Sequence, residues 1–385
     1  MSNYNPLPVE FDKGIGSWLI DIHGERYLDA LSGIAVCGLG HSHPSISKVI
    51  AEQSANLIHT SNIYKIPLQE KLAQKLVSHS GMDNVFFCNS GAEANEAAIK
   101  LARLHAHKQK ITDPVILVMQ NSFHGRTMAT ISATGSSKVH QGFKPLLSGF
   151  KHIAFNDIEA LESSVSAIEN IVAIMVEPIQ GEGGVVIPNK NYLKIIRSIC
   201  DKNNFLMIVD EVQTGMCRTG KWFAFQHDKI LPDIMTIAKA LGNGVPIGAC
   251  LARGKSAKLF KAGSHGSTFG GNPLASSVAL EVINILETKK IDKHASELGS
   301  YFLDNFRRSL EGVRGVIDIR GKGLIMAIEL EKNCPDLVEK ALNNKLLINV
   351  TSGNVIRLLP PLIMTKLEAD QVVSILTETL KDYLL

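Results

Sequence analysis

The sequence predicts an α/β fold: a large, mainly parallel sheet covered by helices on both faces, with a smaller α+β unit after it. Three observations carry this expectation. Between about residues 80 and 255, short apolar runs alternate with helix-patterned segments, the pattern of strands buried on both faces. At 385 residues the chain is too long for one simple core. Small, polar and glycine-rich stretches follow the apolar runs, as expected where ligands gather at the carboxyl edge of such a sheet.

In chain order, Gly16 to Asp29 reads as a short hairpin and Ser32 to Pro44 as an irregular glycine-rich segment. His41-Ser42-His43 is a weak metal spacing with no carboxylate at ligand distance, and Pro44 reads instead as the start of a helix over Ser45–Leu57. Leu68, Leu72 and Leu76 give helical spacing to Pro67–Ser78. The buried strand Val85–Cys88 runs through Asn89-Ser90-Gly91-Ala92 into a helix through Ala102. A strand, a small-residue turn and a helix N-terminus make an anion site from free N–H groups and the helix dipole, although an ordinary N-cap also explains Ser90. It is neither the Walker loop nor the dinucleotide-binding glycine turn.

The strand Val115–Met119 leads to Phe123-His124-Gly125-Arg126-Thr127. There an aromatic can stack on a flat ligand and an arginine can grip a carboxylate, although alone each residue is more often core or surface. After the strand Ile171–Val176 come Glu177 and Glu182, either an acid/base pair or two loop charges. A helix over Asn191–Asp201 feeds the strand that ends at Asp210-Glu211. Ile234–Ala238 is a further buried strand, closed by Lys239 and a glycine turn, and Gly248–Ala252 follows it. On this stretch alone Lys239 is a solvated strand-end lysine. With Asp210 29 residues earlier, the pair matches what a pyridoxal phosphate site needs: a lysine of lowered pKa for a Schiff base and an acid for the pyridinium nitrogen. Leu274–Leu286 is a long apolar helix able to bridge to a second unit. From about residue 291 the pattern is helix, strands (Val316–Ile319, Gly323–Leu330), helix, strand (Val355–Leu359), helix.

Composition narrows the function classes. Apolar content of 45% and charged content of 20% fit an ordinary globular chain. A net charge of +3 without a clustered basic run argues against nucleic acid. No apolar stretch reaches the length of a membrane span, and Met1–Pro6 has neither the basic start nor the apolar core of a secretory signal. Six scattered cysteines without a Cys-x-x-Cys suggest reduced thiols and a cytoplasmic location.

The motifs around Ser90, Phe123, Glu177, Asp210, Lys239 and Gly266–Pro273, in this order and spacing over nearly the whole chain, resemble the class III pyridoxal-phosphate aminotransferases, and within them the acetylornithine aminotransferases. The resemblance implies fold type I and a division into an N-terminal segment (1–50) packing with the small domain, a large cofactor domain (51–290) and a small C-terminal domain (291–385). It implies that Lys239 carries pyridoxal 5′-phosphate and moves the proton, and that Asp210 pairs with the ring nitrogen. Gln213 would bond the phenolic oxygen; Val212 and Phe123 would cover the two ring faces. Gly91 and Ala92, with Ser90, would hold the phosphate, and Glu211 is counted with the cofactor residues. Thr268 would reach the phosphate of a neighbouring subunit, giving a homodimer with shared sites. Arg126, with Ser267 nearby, would bind the substrate's distal carboxylate. Arg357 would bind the α-carboxylate of 2-oxoglutarate or glutamate, and Glu182 would mask it. No metal, nucleic acid or membrane partner is implied.

The implied reaction passes the δ-amino group of N2-acetylornithine to 2-oxoglutarate. Succinylornithine and N-succinyl-diaminopimelate are the neighbouring alternatives. Ile34, where ornithine δ-aminotransferases carry a tyrosine, favours the acylated substrates. An aminomutase and a non-catalytic cofactor-binding protein are the rivals of other kinds.

Overall fold

A computed structural model describes residues 1–385. The first strands, β1 (Phe11–Ile15), β2 (Trp18–Asp21) and β3 (Arg26–Asp29), form an antiparallel meander. The central sheet is built from β4 (Asn84–Cys88), β5 (Val115–Met119), β6 (Phe150–Ile153), β7 (Ile171–Val176), β8 (Leu206–Asp210), β9 (Ile234–Ile237) and β10 (Gly248–Ala252). Their spatial order is β4-β10-β9-β8-β7-β5-β6. The expected parallel arrangement holds from β6 to β9. Only β10 runs against both of its neighbours. It follows β9 through a short turn at Gly242–Ile247 instead of a helical crossover, so antiparallel pairing is the direction open to it. Strand β6 has no counterpart in the sequence reading. Phe150-Lys151-His152-Ile153 lies at the sheet edge with its lysine exposed, so it lacks the continuous apolar run of the inner strands.

Strands β7 to β10 are buried at every position. Their side chains still alternate between two cores: Leu206 and Ile208 join one face, Met207 and Val209 the other. A larger cluster of 51 buried residues continues from Met235 and Ile237 through Val278, Val282 and Ile285 of the helix Pro273–Thr288 to Phe302, Ile356 and Leu376. That helix therefore packs against the central sheet and the C-terminal part alike.

The C-terminal part holds β11 (Val316–Lys322), β12 (Ile325–Leu330), β13 (Leu346–Leu347), β14 (Asn349–Thr351) and β15 (Val355–Leu358). An antiparallel sheet runs β11-β12-β15-β14, whereas β13 pairs in parallel with β3 and so joins the N-terminal meander. The segment read as irregular after Ser32 is a left-handed turn: Ser32, Gly33, Ile34 and Ala35 have φ of 47°, 64°, 65° and 63°. The Asp29 carboxylate accepts from the Leu31 and Ser32 amides, and His41 lies 2.7 Å from its other oxygen, so His41 is occupied by an ion pair. All six cysteines are free thiols. No helix is long and apolar enough to cross a membrane.

Candidate active site

The carboxyl ends of β4, β5, β7, β8 and β9 converge on a cavity of about 400 Å³, lined among others by Ser90, Gly91, Ala92, Phe123, Arg126, Glu182, Asp210, Val212, Gln213 and Lys239. Because β10 is antiparallel, its start lies at this same edge. That is why Val245, Pro246 and Ile247, which the sequence reading did not single out, complete the wall.

One end of the cavity is the N-terminus of the helix Gly91–Lys108. Ser90 is its N-cap, accepting from the Glu93 amide at 3.2 Å, which leaves the first amides of the helix for an anion. Glycine is required at 91 by space: a Cβ there falls 2.7 Å from Val212 Cγ1, so the Val212 strap closes directly over the turn.

Asp210 ends β8 and is buried. Its Oδ2 lies 2.7 Å from His124 Nδ1 and accepts from Asn95 Nδ2 at 2.8 Å; its Oδ1 accepts the Val212 amide at 3.0 Å. Asn95 is held in turn by the Thr236 hydroxyl at 2.7 Å. Burial works against charge on His124, but the bond to Asp210 more than offsets it and raises the imidazole above its ordinary range. The carboxylate is thus fixed from several sides. Asn95, His124 and Thr236 have no role in the sequence reading. A signal existed for Asn95, a polar residue one helical turn beyond Gly91 on the buried, alanine-rich face of its helix. Thr236 on a fully buried strand gives no such signal.

Lys239 follows β9 with a left-handed φ of 45°, which costs a non-glycine residue about 1–2 kcal/mol. Burial pushes its ammonium down to about 8, with Arg357 adding to that and Glu182, Asp210 and Glu177 opposing it. Glu177 is buried in the cavity wall and accepts the Phe123 amide at 3.1 Å; burial raises its carboxyl to about 7. Phe123 carries the Arg126 guanidinium 5.6 Å from its ring centroid, with Arg126 exposed toward the mouth.

Arg357 on β15 is buried and donates from Nη1 to Glu182 Oε1 at 2.7 Å and, more weakly, to Gln213 Oε1 at 3.4 Å. Its Nε donates to Asn349 at 3.2 Å, and Nη2 has no partner. Gly181 permits this gathering, because a Cβ there would lie 2.0 Å from Gln213 Oε1.

Besides Arg357, which meets the cavity only through Glu182 and Gln213, three site residues of the sequence reading line no part of it, Thr268 among them as expected for a residue serving a neighbouring subunit. Glu211 is turned from the cavity into the core, where it accepts the Thr214 hydroxyl and the Phe225 amide; successive side chains at a strand end point to opposite sides, so Asp210 and Glu211 cannot share the site. Ser267 accepts from Asn89 at 3.2 Å, and Ser267 and Thr268 line a neighbouring depression with Glu93, Glu96 and Lys100.

An anion-binding helix start, a buried carboxylate, a lysine of lowered pKa and a slot between an aromatic and a valine make a donor set that fits a flat, phosphorylated pyridine aldehyde. The cavity can hold it, with Arg126 in its wall and Arg357 behind Glu182.

Comparison with known proteins agrees. The family model for class-III aminotransferases matches residues 1–380. The acetylornithine aminotransferase of Nitrosomonas europaea is 55% identical over 374 residues, covering 97% of this chain and 95% of that protein. Among solved structures, the acetylornithine aminotransferase from Elizabethkingia anophelis superposes with a TM-score of 0.88 at 38% identity, covering 98% of this chain and 95% of that one. An ornithine aminotransferase from Toxoplasma gondii, with PLP at partial occupancy in its active site, gives 0.95 at 37% identity, covering 99% and 92%.

Proposed function

This chain belongs to the class-III aminotransferases and is a pyridoxal-phosphate-dependent transaminase of fold type I, and from that premise we propose that it transfers the δ-amino group of N2-acetyl-L-ornithine to 2-oxoglutarate. The products are N-acetyl-L-glutamate 5-semialdehyde and L-glutamate, made in two alternating half-reactions as a step of arginine biosynthesis. The observation that carries the reading is that Glu182, which lines the cavity with Arg126, Asp210 and Lys239, is paired with buried Arg357 directly behind it.

Pyridoxal phosphate, when bound, supplies a ring that takes up the electron pair left at the substrate carbon as its proton departs. The rest falls to this chain. Gly91, Ala92 and Ser90 would hold the phosphate, Phe123 and Val212 would flank the ring, and Gln213 would bond its phenolic oxygen. Asp210, fixed in place by His124 and Asn95, would pair with the ring nitrogen. Lys239 would hold the cofactor covalently and, once freed by the substrate amine, would be placed to take the proton from substrate Cδ; positioned proton transfer of this kind contributes roughly 10²–10⁴-fold. Arg126 binds the carboxylate of acetylornithine, remote from the reacting amine, with Ser267 nearby. Arg357 binds the α-carboxylate of glutamate or 2-oxoglutarate, and Glu182 neutralises Arg357 in the other half-reaction.

The working unit in this reading is a cytoplasmic homodimer, with exposed Thr268 serving the partner's phosphate site. Residues 51–290 form the cofactor domain, and residues 1–50 accompany the small domain 291–385. The test is Lys239→Ala: borohydride no longer fixes cofactor to the protein and turnover is lost. Stoichiometric labelling of another lysine in this variant would refute the assignment.

A further inference from the structure

Resting on the proposed exchange at Glu182, we infer that Arg320 is a positioning residue: it clamps the backbone of the Glu182 loop so that the exchange between a paired and a released Arg357 is confined to the Glu182 side chain.

Five observations carry this. The Arg320 guanidinium donates from Nη2 to the Gly184 carbonyl at 2.6 Å and from Nε to the Val185 carbonyl at 3.0 Å. Its Nη1 reaches Glu329 at 2.6 Å and Asp318 at 2.7 Å, so its charge is already matched by two carboxylates and it is not free to bind a substrate acid. The Glu182 carbonyl itself accepts the hydroxyls of Thr351 and, at 3.4 Å, Ser352. Beyond the loop's own turn bonds and the Gln180–Val186 bridge at its base, the side chains that grip its carbonyls at Glu182, Gly184 and Val185 come from the C-terminal sheet or the turn beside it.

The loop needs gripping. Val185 has φ of 50°, a left-handed backbone in which a β-branched residue is strained, and such strain persists only where the surroundings impose it. The sheet also sets the register. Arg320 on β11 lies opposite Ala327 on β12, and Ala327 lies opposite Arg357 on β15, so one row across three strands carries both the arginine that pairs with the Glu182 side chain and the one that holds its loop. With the backbone tied to that row, Glu182 Oε1 meets Arg357 by side-chain rotation alone. Without the clamp, Val185 relaxes and the carboxylate loses its register with Arg357.

The experiment uses the holoenzyme and single-turnover rates of the two half-reactions, one started with acetylornithine and one with glutamate, in Arg320→Met, Arg320→Lys, Glu182→Ala and the double variant Arg320→Met/Glu182→Ala. Arg320→Met lowers the ratio of the acetylornithine to the glutamate rate by about tenfold, inside the roughly hundredfold that a 1 Å misplacement can cost. Arg320→Lys keeps one charge toward Glu329 but spans only one carbonyl, and falls between Met and wild type; it carries the test if the Met variant does not fold. In the Glu182→Ala background Arg320→Met leaves the ratio unchanged, because the residue it positions is gone. Equal losses in both half-reactions, or the same shift with and without Glu182, overturn the inference while the Glu182 reading stands. If Glu182→Ala itself leaves the ratio unchanged, that reading fails and the inference fails with it.

Discussion

Glu182→Ala is the substitution whose effect follows most directly from the geometry. Arg357 is 0% exposed at its side chain and its shortest contact is the 2.7 Å bond to Glu182; its Nη2 has no partner, so no second acid can take over. Breaking a fully buried ion pair costs about 3–5 kcal/mol. The Glu182 side chain is 37% exposed, which lets solvent screen the pair and reduces this to about 1–3 kcal/mol. The penalty falls on one half-reaction. An acetylornithine chain lying over Arg357 would seal an unmatched charge from water, whereas the α-carboxylate of glutamate would match it and would no longer have to displace Glu182. The ratio of the two single-turnover rates, read from the cofactor's absorbance with each substrate alone, therefore shifts by roughly fivefold to 150-fold against acetylornithine. Arg357→Ala shifts the ratio the other way. Arg126→Ala weakens acetylornithine most, and glutamate also through its side-chain carboxylate. Equal losses in both halves for Glu182→Ala would refute the reasoning and return Glu182 to the status of a loop carboxylate.

Three further outcomes follow. Asp210→Ala retains the borohydride-reducible attachment at Lys239 but loses most turnover; near-normal turnover would remove Asp210 from its assigned role. In the cofactor-free protein, burial lifts Glu177 from 4.5 to about 7, so the native state holds a proton there that the unfolded chain has released, and Glu177 lowers stability increasingly from about pH 4.5 to 7 and fully above that. Glu177→Gln should then gain up to about 3 kcal/mol at pH 8 relative to its effect at pH 4, measured by denaturant unfolding, and a pH-independent difference would contradict the sign. Because Thr268 is assigned to the partner's phosphate site, adding pyridoxal phosphate to cofactor-free protein should raise the dimer fraction or the melting temperature; a stable monomer that binds cofactor at full strength would contradict this.

Much of this site is legible in the sequence because its parts sit at strand ends. Apolar runs mark β5, β7, β8 and β9, and the residues that follow them, Phe123, Glu182, Asp210 and Lys239, are brought to one cavity by a parallel sheet. What is not legible depends on through-space partners. The reversal of β10 carries Val245–Ile247 into the wall although nothing in those residues announces a ligand. The hold on Asp210 comes from Asn95, one turn into a helix, and His124 on another loop. Glu211 shows the converse error: adjacency to Asp210 in sequence places it on the opposite side of the chain, bonded to Thr214 and Phe225. The left-handed turn at Ser32–Ala35 was likewise hidden, since Ile34 and Ala35 are poor candidates for positive φ until Asp29 and His41 are seen to hold the turn's start.

The most direct test of the central claim is kcat/KM for N2-acetylornithine, N2-succinylornithine, N-succinyl-diaminopimelate and free ornithine, each with 2-oxoglutarate as acceptor and on the same enzyme preparation. The account predicts the highest value for acetylornithine, with no turnover when 2-oxoglutarate is withheld after the first half-reaction. A preference for ornithine or for the succinylated diamino acid, or sustained product formation without any oxo-acid acceptor, would contradict it.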